Sequence, residues 1–501
     1  MLNKATGGMI AIALSNAILF SGLTGVSIAL PVISDDLRLD SSTLHWVSIG
    51  AFLPMASFSI VAGRLGDSAG RRLFFLIGLS LFGLASGVCA VSPNSSILIA
   101  GRIFQGVGCA LAVPLSFSNL TVIYPPQRHG WAFGIVAAIT TLSGTTIPFL
   151  LSFIIDRLGW RFTFALYFPL IIALILLAMW TIPESKGKNY PRFDTTGCIL
   201  LAVGLCLLVV ACERWADWGV ANPRVITLLV AACLTIAAFY RHELHAEFPL
   251  LDFRALKLAP VIVSLILLAH IQCTSLVITF NLPIFLQQVE RLSPYTSSAA
   301  LAAGSIGTVL FSSFAGRVAD HGKTQRIISL GMAAGVAAIL LLGYGLLARQ
   351  YSVILLGMII FGFCPALIYA PATAIVVSRL GAARRGISTA LTVESRQLGS
   401  TVGFASCQAL IAGAEWLRRR RLLGVSRGKS TTLDQALYST NVPTVNIAGH
   451  SRRTVERTID STFTLGFSVI LLLMSMAILC LLPLVFRALK PKEPSLNTHG
   501  P

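Results

Sequence analysis

Gly63-Arg64-Leu65-Gly66-Asp67-Ser68-Ala69-Gly70-Arg71-Arg72 is a short charged turn between two long apolar stretches. A worn copy, Gly316-Arg317-Val318-Ala319-Asp320-His321-Gly322-Lys323-Thr324-Gln325-Arg326, stands 253 positions later and again joins two apolar stretches. A chain that repeats one polar hinge in each half reads as two related lobes. Gly63 lets a neighbouring helix approach closely, as small residues do in lipid. Asp67 suits the positive end of a helix dipole, and Arg71 and Arg72 suit Asp67, helix-end carbonyls or lipid phosphate. Such contacts form in one conformation and break in another. Gly63, Asp67, Gly70, Arg71 and Arg72, with Asp320 in the copy, are therefore expected to form a conformational latch. The plainer alternative is a basic loop that only fixes topology.

The surroundings of the hinge set the solvent. Of 501 residues, 12% are charged and 55% hydrophobic, and mean hydropathy is +0.80. About a quarter of an ordinary soluble chain is charged, so a soluble fold is excluded. The net charge of +18 does not indicate a nucleic-acid partner, because most basic residues lie in short links between apolar segments. Cytoplasmic links of membrane proteins carry such an excess. The ten cysteines sit in or beside apolar stretches without a C-x-x-C pair, which indicates neither a metal site nor a disulfide framework. No cofactor is expected. The run after Lys4 is long enough to span and reads as an uncleaved first helix.

A membrane helix needs about 20 mostly apolar residues. Fourteen runs qualify: 8–32, 44–63, 72–92, 96–123, 131–155, 160–182, 197–213, 223–240, 259–287, 297–319, 326–348, 351–378, 386–413 and 462–486. They are continuous rather than alternating, which predicts an all-α integral membrane protein and not a barrel. With the N-terminus inside, inner segments hold 20 Lys/Arg and short outer links hold 7. This predicts both termini in the cytoplasm. Link 414–461 holds another 9 and falls outside, as a long loop can. The hinge copies are eight spans apart, where two directly joined six-helix halves would give six. The predicted units are an N-terminal bundle (1–183), an inserted helix pair with linkers (184–257), a C-terminal six-helix bundle (258–490) and a tail (491–501).

These features resemble the major facilitator superfamily, in particular its fourteen-span drug:proton antiporter branch of multidrug exporters. The resemblance rests on G-x-L-x-D-x-x-G-R-R at Gly63, Leu65, Asp67, Gly70, Arg71 and Arg72. It also rests on Arg102-Ile103-Phe104-Gln105-Gly106-Val107-Gly108, Gly159-Trp160-Arg161, Ala29-Leu30-Pro31 and Arg396-Gln397-Leu398-Gly399. Two positions depart from the branch. Gly22 stands where its exporters carry an acid in span 1, and only Gly144 and Pro148 survive of the span 5 signature G-x-x-x-G-P-x-x-G-G. The resemblance implies a secondary transporter that works by alternating access in the bacterial inner membrane.

Ionisable residues inside spans are costly and mark function. Arg102 lies about 9 Å into span 4. The resemblance implies conformational coupling or proton transfer for it, and a structural arginine bonded to loop carbonyls is the alternative. Glu394 lies about 12 Å into span 13 and is the leading proton carrier, with a fixed ion pair as its alternative. His270, about 17 Å along span 9, carries a pKa suited to protons and heads a polar trace through Gln272 to Asn281. With Asn16, Asn119 and Arg396, these residues are the expected polar points of a substrate cavity, and Gly144 and Pro148 permit helix bending. No G-x-x-x-x-G-K-[ST] is present, so energy must come from an ion gradient or from the substrate's own.

The expected function is proton-coupled efflux of drugs or amphiphilic metabolites. Uptake or facilitated entry of a small nutrient, such as a riboflavin-like vitamin, is the alternative. A non-transporting receptor is disfavoured, because Arg102 and Glu394 would each cost about 2.5–3.5 kcal/mol for nothing. The expected partners are a small-molecule substrate, protons and membrane lipids, with a membrane-fusion protein as a further candidate.

Overall fold

A computed structural model describes residues 4–39, 41–186, 194–218, 222–246, 257–381, 384–401, 403, 410 and 452–489 of the chain. These residues are almost wholly helical, because backbone groups in lipid must be satisfied within the segment. In chain order the helices are α1 Lys4–Thr24, α2 Val26–Leu37, α3 Ser41–Ile49, α4 Phe52–Ala69, α5 Arg71–Ala90 and α6 Ser95–Ile123. Next come α7 His129–Leu158, α8 Trp160–Thr181, α9 Thr195–Trp218, α10 Pro223–His245, α11 Ala259–Ile284 and α12 Pro294–Val318. The last are α13 Thr324–Ala348, α14 Tyr351–Phe361, α15 Phe363–Leu380, α16 over 385–401 and α17 Arg452–Ala488. Among the described residues, twelve helical stretches are long and apolar enough to cross a membrane. One of them, Tyr295–Ala348, runs through the second hinge. There Gly322, at φ +80°, turns the chain between α12 and α13.

Among the described residues two large apolar cores lie mainly one in each half, and the first also takes in Ala370, Val377 and Val393 from the second. The first gathers Leu19, Phe75, Phe82, Leu115 and Phe133 from α1 and α5–α7. The second gathers Leu268, Phe285, Met332, Phe361 and Phe467 from α11, α13, α14, α17 and the turn after α11. The halves meet along two seams, α4 against α16 and α7 against α12. Helices α9 and α10 are not symmetric about them. Cys198, Leu201 and Leu205 of α9 and Phe239 of α10 share one apolar cluster with Ile60 of α4 and Ile387 and Leu391 of α16. Helix α9 thus covers the first seam.

Several boundaries differ from the sequence reading. The first span breaks at Gly25, where α1 ends at Thr24 and α2 begins at Val26. Span 12 is two helices meeting at Gly362, which presses against α12 so closely that a Cβ there would strike backbone. The final helix starts at Arg452, so the last ten residues of link 414–461 are helical. The arginines at 418–421 and the tail 491–501 lie outside the described residues. Helix α7 runs unbroken through Gly144, and the side chain of Pro148 lies outside the described residues.

The hinges share one end of the molecule with both ends of the described chain. Tyr124 donates to the Ala5 carbonyl (3.2 Å), and Gln325 donates to the Phe486 carbonyl (3.2 Å). This is the latch end of the molecule.

Candidate functional site

The first hinge acid reaches across the seam. Asp67, fully buried at the end of α4, accepts the Gly386 amide (2.8 Å) and the Ile387 amide (3.0 Å) at the start of α16. Those amides have no partner within their own helix, and the dipole there favours an anion. Arg71 grips the same carboxylate through Nε (2.8 Å) and Nη2 (2.7 Å). The contact requires glycine on both sides: a Cβ at Gly63 would stand 2.5 Å from the Gly386 carbonyl oxygen.

The worn copy repeats the arrangement in the opposite sense. Asp320 accepts the amides of Gly130 and Trp131, both at 2.9 Å, at the start of α7. A Cβ at Gly130 would stand 2.5 Å from the Gly316 carbonyl oxygen. Each half therefore lends one carboxylate to cap one helix of the other half. The copies differ in counter-charge, since Thr324 occupies the place that Arg71 holds in the first hinge. Gly70 and Arg72 serve a different contact, within the first half. Gly70 turns at φ +138°, and Glu184 then caps α5 by accepting the amides of Arg72 and Leu73 at 3.1 Å each. Arg72 Nη1 donates to the Ile182 carbonyl (3.0 Å).

Beyond these caps the halves separate around a cavity of about 480 Å³. Its wall includes Thr141, Gly144 and Thr145 of α7, Gln272 and Ser275 of α11, and Arg396 of α16. Arg396 Nε donates to Gln272 Oε1 (3.1 Å), and Tyr369 donates to the same oxygen (3.0 Å). The guanidinium lies over the Tyr369 ring, 4.4 Å from its centre. One charge is thus held rigidly on an otherwise apolar and hydroxyl-bearing wall.

Arg102 is completely buried elsewhere, in the first half. Nη1 donates to the Gly22 carbonyl (2.7 Å) and to Gln105 (2.9 Å), Nη2 to the Leu23 carbonyl (3.1 Å) and Nε to the Val47 carbonyl (3.1 Å). The break at Gly25 leaves the last carbonyls of α1 without helical partners, and the guanidinium satisfies two of them. Gly22, the residue without the acid, is one of the two.

Glu394 is buried, and neither carboxylate oxygen has a hydrogen-bond partner among the described residues. It lies one turn beyond Ala390, on the stripe of α16 whose Gly386 and Ala390 press against Gly63. Arg396 is on another face. Asn16 bonds the Ile12 carbonyl and Ser116, Asn281 bonds the Val277 carbonyl, and Asn119 reaches the Arg71 carbonyl at 3.4 Å. His270 lies against the Met474 backbone of α17. Of the residues expected at the cavity, Gln272 and Arg396 line it; Asn16, Asn119, His270 and Asn281 do not.

Residues 12–404 match the model of the Major Facilitator Superfamily. The chain belongs to that superfamily. This facilitator is a multi-pass membrane transporter, not an enzyme. It is 28% identical over 413 residues to the multidrug resistance protein Stp of Mycobacterium tuberculosis, covering 82% of this chain and 76% of Stp. It is 24% identical over 474 residues to the tetracenomycin C resistance and export protein of Streptomyces glaucescens, covering 92% and 87%. Similar solved structures include a double-tryptophan XylE mutant (TM-score 0.59, 13% identity, 96% and 97% covered). The human organic anion transporter MFSD10 gives a TM-score of 0.57 at 15% identity, with 95% and 98% covered. These structures share the facilitator fold.

Sequence reasoning missed Glu184, Tyr369, Thr145 and Ser305. Glu184 lies just past the C-terminal end of α8, where no local rule calls for an acid, and only its position against the first amides of α5 reveals it. Tyr369 carries no motif, and only its position opposite Gln272 reveals it.

Proposed function

We propose that this facilitator exports amphiphilic organic compounds, driven by protons, by rocking its halves between two poses. The supporting observation is a cavity between the halves with Asp67 and Asp320 each capping a helix of the opposite half at one end. Breaking those caps frees the halves to part at that end. The basic hinges suit the cytoplasmic face of the inner membrane, so the latch end, with both ends of the described chain, is read as cytoplasmic and the described pose as open outward. The 54-residue stretch counts as two crossings and α16 as one more, which makes fourteen. Bundles 1–183 and 258–490 then flank the inserted pair.

Arg396, Gln272 and Tyr369 suit an aromatic amphiphile with oxygen acceptors or an acidic group. The antibiotic export and multidrug resistance proteins among the relatives support the outward direction. Glu394 is the proposed proton carrier. A bare carboxylate without a donor in reach is costly to bury, so proton arrival and departure there would be tied to the α4–α16 seam. A second reading, uptake or facilitated entry of a small nutrient, is favoured by one feature, the absence of an acid at Gly22. The test uses inverted vesicles with an inward-acid proton gradient and anilinonaphthalene sulfonate as probe. Export predicts accumulation against the probe gradient that collapses with an uncoupler. Equilibration alone, unaffected by the uncoupler, overturns the proton-coupled reading.

A further inference from the structure

Among the described residues that line the cavity between the halves, Arg396 is the one that carries a charge. No carboxylate on that wall answers it. Glu394, two positions earlier, does not supply the counter-charge, since neither of its oxygens has a hydrogen-bond partner among the described residues. The guanidinium is instead held from behind. Its Nε donates to Gln272 Oε1, Tyr369 donates to the same oxygen, and the Tyr369 ring covers one face. Nη1 and Nη2 have no hydrogen-bond partner among the described residues. A charge within a membrane-spanning segment is costly, and more so when its partner is missing. The three anchoring residues come from α11, α15 and α16, all in the second half. Rocking of the halves therefore carries the set as one body, and the anchor persists in both poses.

We infer that the cavity selects organic acids: the anionic group of the substrate pairs with the free Nη1 and Nη2 of Arg396, and amphiphilic cations of the same shape are rejected. The fork of a guanidinium presents two parallel donors that match a carboxylate. Burial away from bulk water strengthens that attraction, and it strengthens the repulsion of a second cation equally. The rest of the wall suits the body of such a molecule. Met358 and Phe361 offer apolar surface, and the Thr145 and Ser305 hydroxyls, 2.9 Å apart across the halves, can exchange their mutual bond for one to the substrate. Gly22 agrees with this assignment, because an anionic substrate has no use for an acid in that span. A Cβ there would stand 2.5 Å from the Phe82 ring, so a longer side chain is shut out.

Acid selectivity presupposes the proposed transport of amphiphiles, and binding is therefore read apart from transport. Three probes share one ring system and differ in charge: 2-naphthoate, 2-naphthamide and 2-naphthylmethylammonium. Each is titrated by calorimetry onto the purified full-length protein in detergent at neutral pH. The acid should bind about 10- to 100-fold better than the amide, as expected for hydrogen bonds to a charged group, and the ammonium should bind worst. R396Q should bring the acid down to the level of the amide and leave the amide unchanged, which also shows that the variant is folded. R396K keeps the charge without the fork and should retain the preference for acid over ammonium. An amide or ammonium that matches the acid in wild type, or no binding of the acid, overturns the assignment without recourse to any variant. So does an acid preference that survives R396Q. Selective acid binding without export in the vesicle test leaves the anion site standing and overturns the proposed function. Proton-driven export without acid preference does the reverse.

Discussion

The Asp67 carboxylate and the Gly386 amide, 319 positions apart in sequence, meet at 2.8 Å and join the two halves at the latch end. The bond is charge-assisted, is backed by Arg71 and lies out of water, so it should outweigh its counterpart at Asp320, where Thr324 replaces the arginine.

Asp67→Asn keeps the shape but removes the charge. Hydrogen bonds to charged groups contribute about 1.5–3 kcal/mol, so the closed-latch pose should lose about 10- to 100-fold in relative population. Spin-label distances across the α4–α16 seam should lengthen, with transport slowed and folding intact. Asp320→Asn should do the same more weakly. Equal distances in wild type and D67N would remove the latch.

Gly316→Val places a Cβ against the Gly130 backbone, which has no flexible end to give way. Overpacking of this kind costs about 1–3 kcal/mol. The strain is relieved when α7 and α12 part, so the variant should favour the pose with the latch end open. A labelled pair at the ends of α7 and α12 reads this directly.

Glu394→Gln retains size and removes titration. Probe export by wild type should rise with the proton gradient, and the variant should lose that dependence while still binding probe. Unaltered pH dependence would take Glu394 out of the mechanism.

Arg102→Lys cannot reproduce the fork that serves Gly22, Leu23, Val47 and Gln105 together. A buried polar group left unsatisfied costs about 1–3 kcal/mol, and the variant should melt below wild type in detergent. Wild-type melting with lost transport would instead point to a role in the transport cycle.

At the far end, Asp36 accepts from Arg161 and from Trp160 Nε1 (3.0 Å). The Arg161 hydrogen bond first, then that from Trp160, holds its carboxyl below the ordinary value. A depressed carboxyl stabilises the fold above the unfolded-state pKa, about 4, and that contribution fades as pH falls through the folded value. The pair is exposed, so the effect should stay under about 1 kcal/mol. Arg161→Ala should lower the melting temperature slightly at neutral pH and converge with wild type in acid, which flattens the acid limb of the profile.

By itself, the sequence determined the solvent, the helices and the hinge. An apolar run long enough to span has few alternatives in lipid, and Asp67 beside Gly63 and Arg71 announces a helix-capping turn by local chemistry alone. Gln272 and Arg396 were legible as cavity residues because intramembrane polar groups seek partners or water. Which face a helix turns was not legible. Uniformly apolar spans carry weak periodicity, so Asn16, Asn119, His270 and Asn281 looked equivalent to Gln272 until packing rotated them elsewhere. Only the tertiary structure decided that Asp67 and Asp320 cap helices of the opposite halves, that Arg102 mends the break in α1, and that α9 shields one seam. Those outcomes depend on which backbone ends and side chains meet across hundreds of residues, and no local rule of charge or spacing fixes that.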